Sequence, residues 1–408
     1  MYSAAFTWKI FIFVSDKMFT MKKILLLSFV VLLATASYGQ SAFGDKVAST
    51  KAKITSNFQS SQSNIQDQQR AAEASLAKIM VNYDAYCKKM MKLWGDVTAV
   101  QSTRKSWVDY SKNNDSRSIV DFETGDVTVE VLADPGETEE QINEKLELAV
   151  GALLENKGTP PVYEMEVVQA QPASDKPILD GQVDLKKYAV TGNETVAEAI
   201  VKEEPKEVKK VETENGPKQV VAVRMKLVED HIPKRAEGFK EFISKHASTH
   251  GIDQPLVYAV IEQESAFNPM ARSSAGAYGL MQIIPSSGGR DANGYVNNRD
   301  VSPSPSELYD PNFNIQLGVG YLKKQMRVYF KGIRDKQAAM LCAIAAYNTG
   351  QGNVYYALTG KKSSSGVADK VNSMSYNELY DYLKVKLPHA ETRDYIQKVT
   401  SKMQKYTE

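Results

Sequence analysis

Glu264 is the residue of this chain around which chemistry can be built. It lies in VYAVIEQESAFNPMARSSAGAYGLMQIIP, Val257 to Pro285, where one carboxylate on an apolar helix face is followed by a glycine-punctuated loop. Asp253 stands at an N-cap position, Pro255 fits a first turn and Asn268-Pro269 stops the pattern, so the spacing predicts a short helix from about Gln254 to Ala266. On it Val257, Val260, Ile261 and Glu264 fall at i, i+3, i+4 and i+7, a single stripe. A carboxyl group in such a row is desolvated, and its pKa rises toward the range in which it donates a proton near neutral pH. From the stripe alone, a structural glutamate satisfied by backbone amides or a lysine is the commoner outcome. Glu262 points to the opposite face and is expected to be solvated.

The loop after Glu264 adds groups that suit a bulky polar ligand. Ser273 to Gly279 is rich in small residues that let backbone approach closely, and the Gln282 amide matches an N-acetyl group. A tight turn with polar capping is the alternative. Further on, Ala339 to Tyr347 reads as an apolar helix ending at Asn348-Thr349-Gly350, which delivers Tyr347 and Asn348 to a helix C-terminus. In a lone helix Tyr347 would be a core residue.

The blocks Gln263-Glu264-Ser265, Phe267-Asn268-Pro269, Gly279-Leu280-Met281-Gln282-Ile283 and Ala346-Tyr347-Asn348 occur in this order. Together they resemble the signature of lysozyme-like lytic transglycosylases of the soluble-lytic-transglycosylase type. Trp94-Gly95-Asp96, PILDGQV from Pro177 to Val183, Lys234-Arg235-Ala236 and Tyr309-Asp310-Pro311 extend the likeness to the membrane-bound C-type subgroup, over roughly Lys92 to Val399. The resemblance implies Glu264 as acid and base, with Ser273, Gln282, Tyr347, Asn348 and Tyr395 lining a saccharide groove. It further implies cleavage of the bond between N-acetylmuramic acid and N-acetylglucosamine in peptidoglycan, with no metal or organic cofactor. With one carboxylate where glycosidases commonly use two, the substrate's N-acetyl carbonyl supports the anomeric carbon and the C6 hydroxyl attacks, leaving a 1,6-anhydro end. A hydrolytic muramidase on the same fold and a non-catalytic glycan-binding scaffold are the competing expectations. Asp291, Asp300 and Asp310 are the carboxylates that could fold back toward the cleft.

The remaining chain must position these groups. Its 408 residues, 42% hydrophobic and 24% charged, suffice for two or three domains with a buried core. A net charge of +1 gives no footprint for nucleic acid. Two cysteines, Cys87 and Cys342, are too few for a disulfide framework, and Cys342 reads as a small buried hydrophobe. His246 and His250 have i, i+4 spacing but lack the intervening glutamate of a zincin and a third ligand. Gly360-Lys361 lacks the upstream glycine of a phosphate-binding loop, since Tyr355 stands there, and no nucleophile elbow occurs.

Met21-Lys22-Lys23 followed by an apolar run reads as a signal peptide within residues 1–39, cleaved near Gly39. The run from Ile24 to Ala36 is shorter than the roughly 20 residues a spanning helix needs. Gln40-Ser41 stand where the subgroup carries a lipid-accepting cysteine, so the expectation is an exported periplasmic or envelope protein without a lipid anchor. Residues 40–70 form a polar spacer, flexible or helical. Residues 71–230 form a small α+β domain: a helix over Ala71 to Trp94 carrying Leu76, Ile79, Met80, Tyr83, Tyr86, Met90 and Leu93, a hairpin over Ser118 to Leu132, a helix over Ile142 to Leu154 and a strand over Val220 to Val228. Lys202 to Lys218 is a mixed-sign run expected as a solvated loop. Residues 231–408 form the mainly α-helical lysozyme-like domain, making the whole chain α+β. The resemblance leaves the N-terminal domain to position the enzyme on its polymer or on envelope partners; oligomeric state is open.

Overall fold

The computed structural model describes residues 42–95, 100–160, 175–188, 190 and 192–407. The signal-peptide reading falls outside them. The chain divides into one unit through Gln68 and a second, Gln69–Glu408, which holds the sheet, the later helices and the candidate site. Helix α1, Ala42–Trp94, begins well before the expected Ala71, so the polar spacer is helical. The side chain of Leu76 lies outside the described set. Of the other expected apolar positions, Ile79 and Met90 are buried, as is Trp94, while Met80 is exposed.

Five antiparallel strands form one sheet in the order β1-β2-β3-β5-β4. They are β1 Ser106–Tyr110, β2 Ser116–Asp121, β3 Asp126–Ala133, β4 Lys206–Thr213 and β5 Gly216–Lys226. The expected hairpin is β2–β3, turned at Gly125, whose φ of +77° favours glycine. Alternation along the strands divides the side chains between two faces. Trp107, Val129, Val131 and Val221 join the main core with Leu146, Val150 and Ile200 from α2 (Glu139–Glu155) and α3 (Val196–Glu203). Val108, Tyr110, Leu132 and Val220 pack instead on Met90 and Trp94, at the end of α1. Both short helices start with a capping box, Thr138 with Gln141 and Thr195 with Glu198.

The run Lys202 to Lys218 is not a loop. It closes α3, forms β4 and opens β5, with Thr213 pairing Gly216 across a tight turn. Its charges sit on an edge strand, where Lys and Glu discourage further strand pairing, and Val211 turns inward. Asn215-Gly216 is the hairpin signal that the charges mask; the Thr213 hydroxyl accepts the Asn215 amide and donates to Gly216 O.

From His231 the chain is helical: α4 His231–Glu237, α5 Lys240–His250, α6 Gln254–Ser265, α7 Arg290–Asn297, α8 Pro305–Tyr309, α9 Pro311–Lys324, α10 Lys336–Thr349, α11 Gln351–Thr359, α12 Val367–Asn372, α13 Tyr376–Lys386 and α14 Ala390–Lys405. The acid-bearing helix α6 is packed between neighbours, and every residue from Val260 to Ser265 is buried. Asp253 precedes it as expected, but its carboxylate does not cap; it pairs with Lys336 Nζ at 2.7 Å. Both described cysteines are free, Cys342 fully buried in α10. No helix among the described residues is long and apolar enough to cross a membrane.

Candidate active site

Helix α6 ends immediately after the glutamate. Ala266 and Phe267 both take left-handed conformations, φ +49° and +60°, which cost non-glycine residues energy and turn the chain sharply into the following loop. Phe267 is held by stacking on Phe239, with ring centroids 6.4 Å apart. The Ser265 hydroxyl donates to Leu280 O at 2.8 Å, so helix end and loop are fastened together.

The loop itself hangs on Asn314 of α9, fully buried, whose amide donates to Tyr278 O (2.9 Å) and Leu308 O (2.8 Å) and whose carbonyl accepts Met281 N (2.8 Å). Gly279 passes directly over this amide at φ +72°, and a Cβ there would collide with Asn314 and Leu308 O. Gly279→Ala is therefore expected to lower stability by roughly 3 kcal/mol, combining overpacking with left-handed strain. A shift of the urea midpoint reads it; an unchanged midpoint would contradict the packing described.

Glu264 is 6% exposed, and Tyr395 from α14 donates its hydroxyl to Oε1 at 2.7 Å. On the other oxygen, Oε2, Arg104 Nη1 stands 3.5 Å away. Burial pushes the carboxyl up to about 7; the Tyr395 hydrogen bond and the charges of Arg104 and Lys105 pull the other way, while Glu391 adds to the rise. Burial also holds the Tyr347 and Tyr395 hydroxyls well above the ordinary tyrosine range, so both are donors. Glu262, expected in solvent, is buried at 3% exposure. Because α14 covers that face too, Lys402, Lys405 and the Tyr406 hydroxyl (2.7 Å) surround it. Burial pushes Glu262 up, but the Lys402 and Tyr406 hydrogen bonds prevail and hold it below the ordinary carboxylate range. Two glutamates two residues apart are thus driven in opposite directions, one toward a proton donor and one toward a fixed anion.

The three aspartates considered for a return to the cleft have other partners. Asp291 binds Lys324 and accepts the Tyr329 hydroxyl at 2.7 Å, Asp300 pairs with Arg290 at 2.8 Å, and Asp310 caps α9 through Phe313 N at 2.6 Å. Glu391, exposed in the first turn of α14, is the carboxylate whose charge acts on Glu264. His246 bonds Asn312 Oδ1 at 2.8 Å, and no cluster of His, Cys, Asp or Glu suited to a metal occurs among the described residues.

Three comparisons place this chain among known proteins. The family profile described as Transglycosylase SLT domain matches residues 241–368, and that of the N-terminal domain of membrane-bound lytic murein transglycosylase C matches residues 69–238. Membrane-bound lytic murein transglycosylase C of Actinobacillus pleuropneumoniae serotype 5b is 30% identical, the match covering 77% of this chain and 83% of that protein. The chain belongs to this family of lytic transglycosylases. The protein of the same name from Salmonella typhimurium is also 30% identical, over 79% of this chain and 87% of its own. The solved 70 kDa soluble lytic transglycosylase of Escherichia coli aligns at 27% identity with 43% of this chain and a quarter (25%) of that longer one, with a TM-score of 0.33.

The fold is α+β with a mainly helical C-terminal part, as expected, and it brings the sequence-predicted residues together unevenly. Tyr395 touches Glu264 directly. Tyr347, half-buried, donates to Met281 O at 2.7 Å and fixes the loop beside the acid. Asn348 Oδ1 accepts the Thr392 hydroxyl at 2.6 Å, which ties α10 to α14 just ahead of Tyr395. Gln282, at φ +47°, spends its amide nitrogen on Ala271 O (3.2 Å) and Gly279 O (3.0 Å), bracing the loop, while its Oε1 is enclosed with no partner among the described residues. Its donors are therefore not free for a ligand. Ser273 Oγ accepts Ala277 N at 3.0 Å, the turn-capping alternative. Arg104, Asn314 and Thr392 escape the sequence reading: Arg104 stands in a turn, and although Asn314 and Thr392 lie on the buried stripes of α9 and α14, periodicity does not name the partners they meet far along the chain.

Proposed function

We infer that Glu264 is both the acid and the base of this lytic transglycosylase, with Tyr395, Tyr347, Asn348, Gln282 and Ser273 forming or bracing the saccharide groove. The chain is a peptidoglycan lytic transglycosylase, and the observation that carries the assignment of the acid is the buried carboxyl of Glu264, held by the Tyr395 hydroxyl and raised to about 7, on a helix whose other buried glutamate is neutralised by lysines. Protonated, it donates to the oxygen bridging N-acetylmuramic acid and N-acetylglucosamine. Ionised, it is held by Tyr395 and takes the proton of the C6 hydroxyl, which closes on the anomeric carbon. The substrate's own N-acetyl carbonyl supports that carbon, so no second carboxylate is needed.

We take residues 71–230 and 231–408 as the two domains, a division supported by the family matches and by the change from strand to helix between Lys226 and His231. The proposed location is the cell envelope, in line with relatives named membrane-bound. The apolar run Ile24 to Ala36 supports export, and Gln40-Ser41 speak for a periplasmic form without lipid, which labelled palmitate would test. Envelope partners would dock on the N-terminal domain. Purified sacculi incubated with the protein should release soluble muropeptides; cosedimentation without release would make the chain a binding module.

A further inference from the structure

The mechanism above draws on the helical part alone, yet Glu264 also faces a cation from the sheet part. Arg104 precedes β1, at the tip of a braced turn. Thr103 N donates to Ser106 O at 2.9 Å, the Thr103 hydroxyl meets the Ser106 hydroxyl at 2.8 Å and accepts Ser106 N at 3.1 Å, and Val108 N is held by Ser102 Oγ at 2.9 Å. Next to it Lys105 is fastened by its ion pair with Glu123 and by its carbonyl, which accepts Phe122 N at 2.8 Å. The turn is therefore pinned at both ends, and what it presents is the Arg104 guanidinium, 3.5 Å from Glu264 Oε2.

We propose that Arg104 is a positioning residue for Glu264, supplied by the N-terminal part of the chain, which stabilises the carboxylate left after proton donation and so makes the active site a product of both parts. The proposal rests on the reading of Glu264 as acid and base. An enzyme that works with one carboxyl must give up a proton and recover one with the same group, so the group has to be close to balance between its two states. Burial alone drives Glu264 toward the protonated form; a fixed cation beside Oε2 offsets this. The other groups facing Glu264 leave this task to Arg104. Tyr395 and Tyr347 are neutral hydroxyls on α14 and α10, Glu391 repels, and Lys105 acts on Glu264 while paired to Glu123.

The test uses the full chain with 13C-carboxyl-labelled glutamate, the Glu264 resonance being assigned by its loss in Glu264→Gln. Replacing the guanidinium in Arg104→Gln should raise the Glu264 titration midpoint by about one pH unit, the lower end of the effect of a close opposite charge. The alkaline limb of kcat/KM should move upward with it, because the proton needed for donation is then held to higher pH. Arg104→Lys should restore both. A midpoint that coincides in wild type and Arg104→Gln overturns the proposal, and so does a raised KM with unmoved titration, which would make Arg104 a substrate contact only. Failure of the underlying reading shows separately, as muropeptide release by Glu264→Gln.

Discussion

Glu264→Gln is expected to leave the fold intact and lower muropeptide release by at least about a hundredfold, the usual weight of a general acid or base. The amide keeps the shape and can still accept the Tyr395 hydroxyl, but it has no proton to transfer. The same substitution should stabilise the protein at alkaline pH. Burial raises the Glu264 pKa from 4.5 to about 7, so the folded state holds a proton that the unfolded state has lost, and wild-type stability falls as pH climbs through that window. At about 1.4 kcal/mol per unit, Glu264→Gln at pH 8 should be more stable by on the order of 3 kcal/mol, with the advantage vanishing at low pH. Urea unfolding of both proteins across pH measures this; parallel stability curves would mean that Glu264 is not held protonated by the fold.

Arg235→Met is expected to cause the largest loss of stability, roughly 3–5 kcal/mol. Arg235 is buried on α4, and it donates to Phe122 O at 2.7 Å in the sheet part, to Gln182 Oε1, to Ala266 O at 3.0 Å at the end of the acid helix and, at 3.4 Å, to His231 Nδ1. Its guanidinium also lies over the Phe122 ring, 4.6 Å from the centroid, and burial pulls its pKa down to about 9. Methionine would fill part of the space but strand the three carbonyl oxygens and His231 Nδ1. Because Ala266 follows Glu264 by two residues, the loss should be accompanied by a drop in kcat. A urea midpoint close to wild type would show that these carbonyls find water or other donors.

The two glutamates show what the sequence discloses and where it stops. Helical periodicity identifies Glu264 as a buried carboxyl because Val257, Val260 and Ile261 share its stripe. The same reasoning misplaces Glu262, since a stripe argument presumes one wet face, and α14 returns more than a hundred residues later to cover it with Lys402 and Tyr406. Tyr395 lies on the buried stripe of α14 with Thr392, Ile396 and Val399, so periodicity buries it but does not say that it meets Glu264; the family resemblance points to that role. Arg104 and Asn314 are less legible still. One stands in a polar turn before a strand and the other inside an amphipathic helix, and their partners are fixed by tertiary packing. Local elements read well where local chemistry decides them, as in the β2–β3 hairpin and the helix after Asp253. The Lys202 to Lys218 run reads badly because edge-strand charges look like loop charges until the neighbouring strand is in place.

The central claim is that a lone carboxyl, with the substrate's C6 hydroxyl as nucleophile, cleaves the glycan without water. Muropeptides released from purified sacculi, analysed by mass spectrometry with and without borohydride reduction, test it directly. The account predicts ends of 1,6-anhydro-N-acetylmuramic acid, lighter by one water than hydrolysed ends and unchanged by borohydride. Predominantly reducible ends would contradict it, and would point to a water placed at the anomeric carbon, with Glu391 the carboxylate to examine.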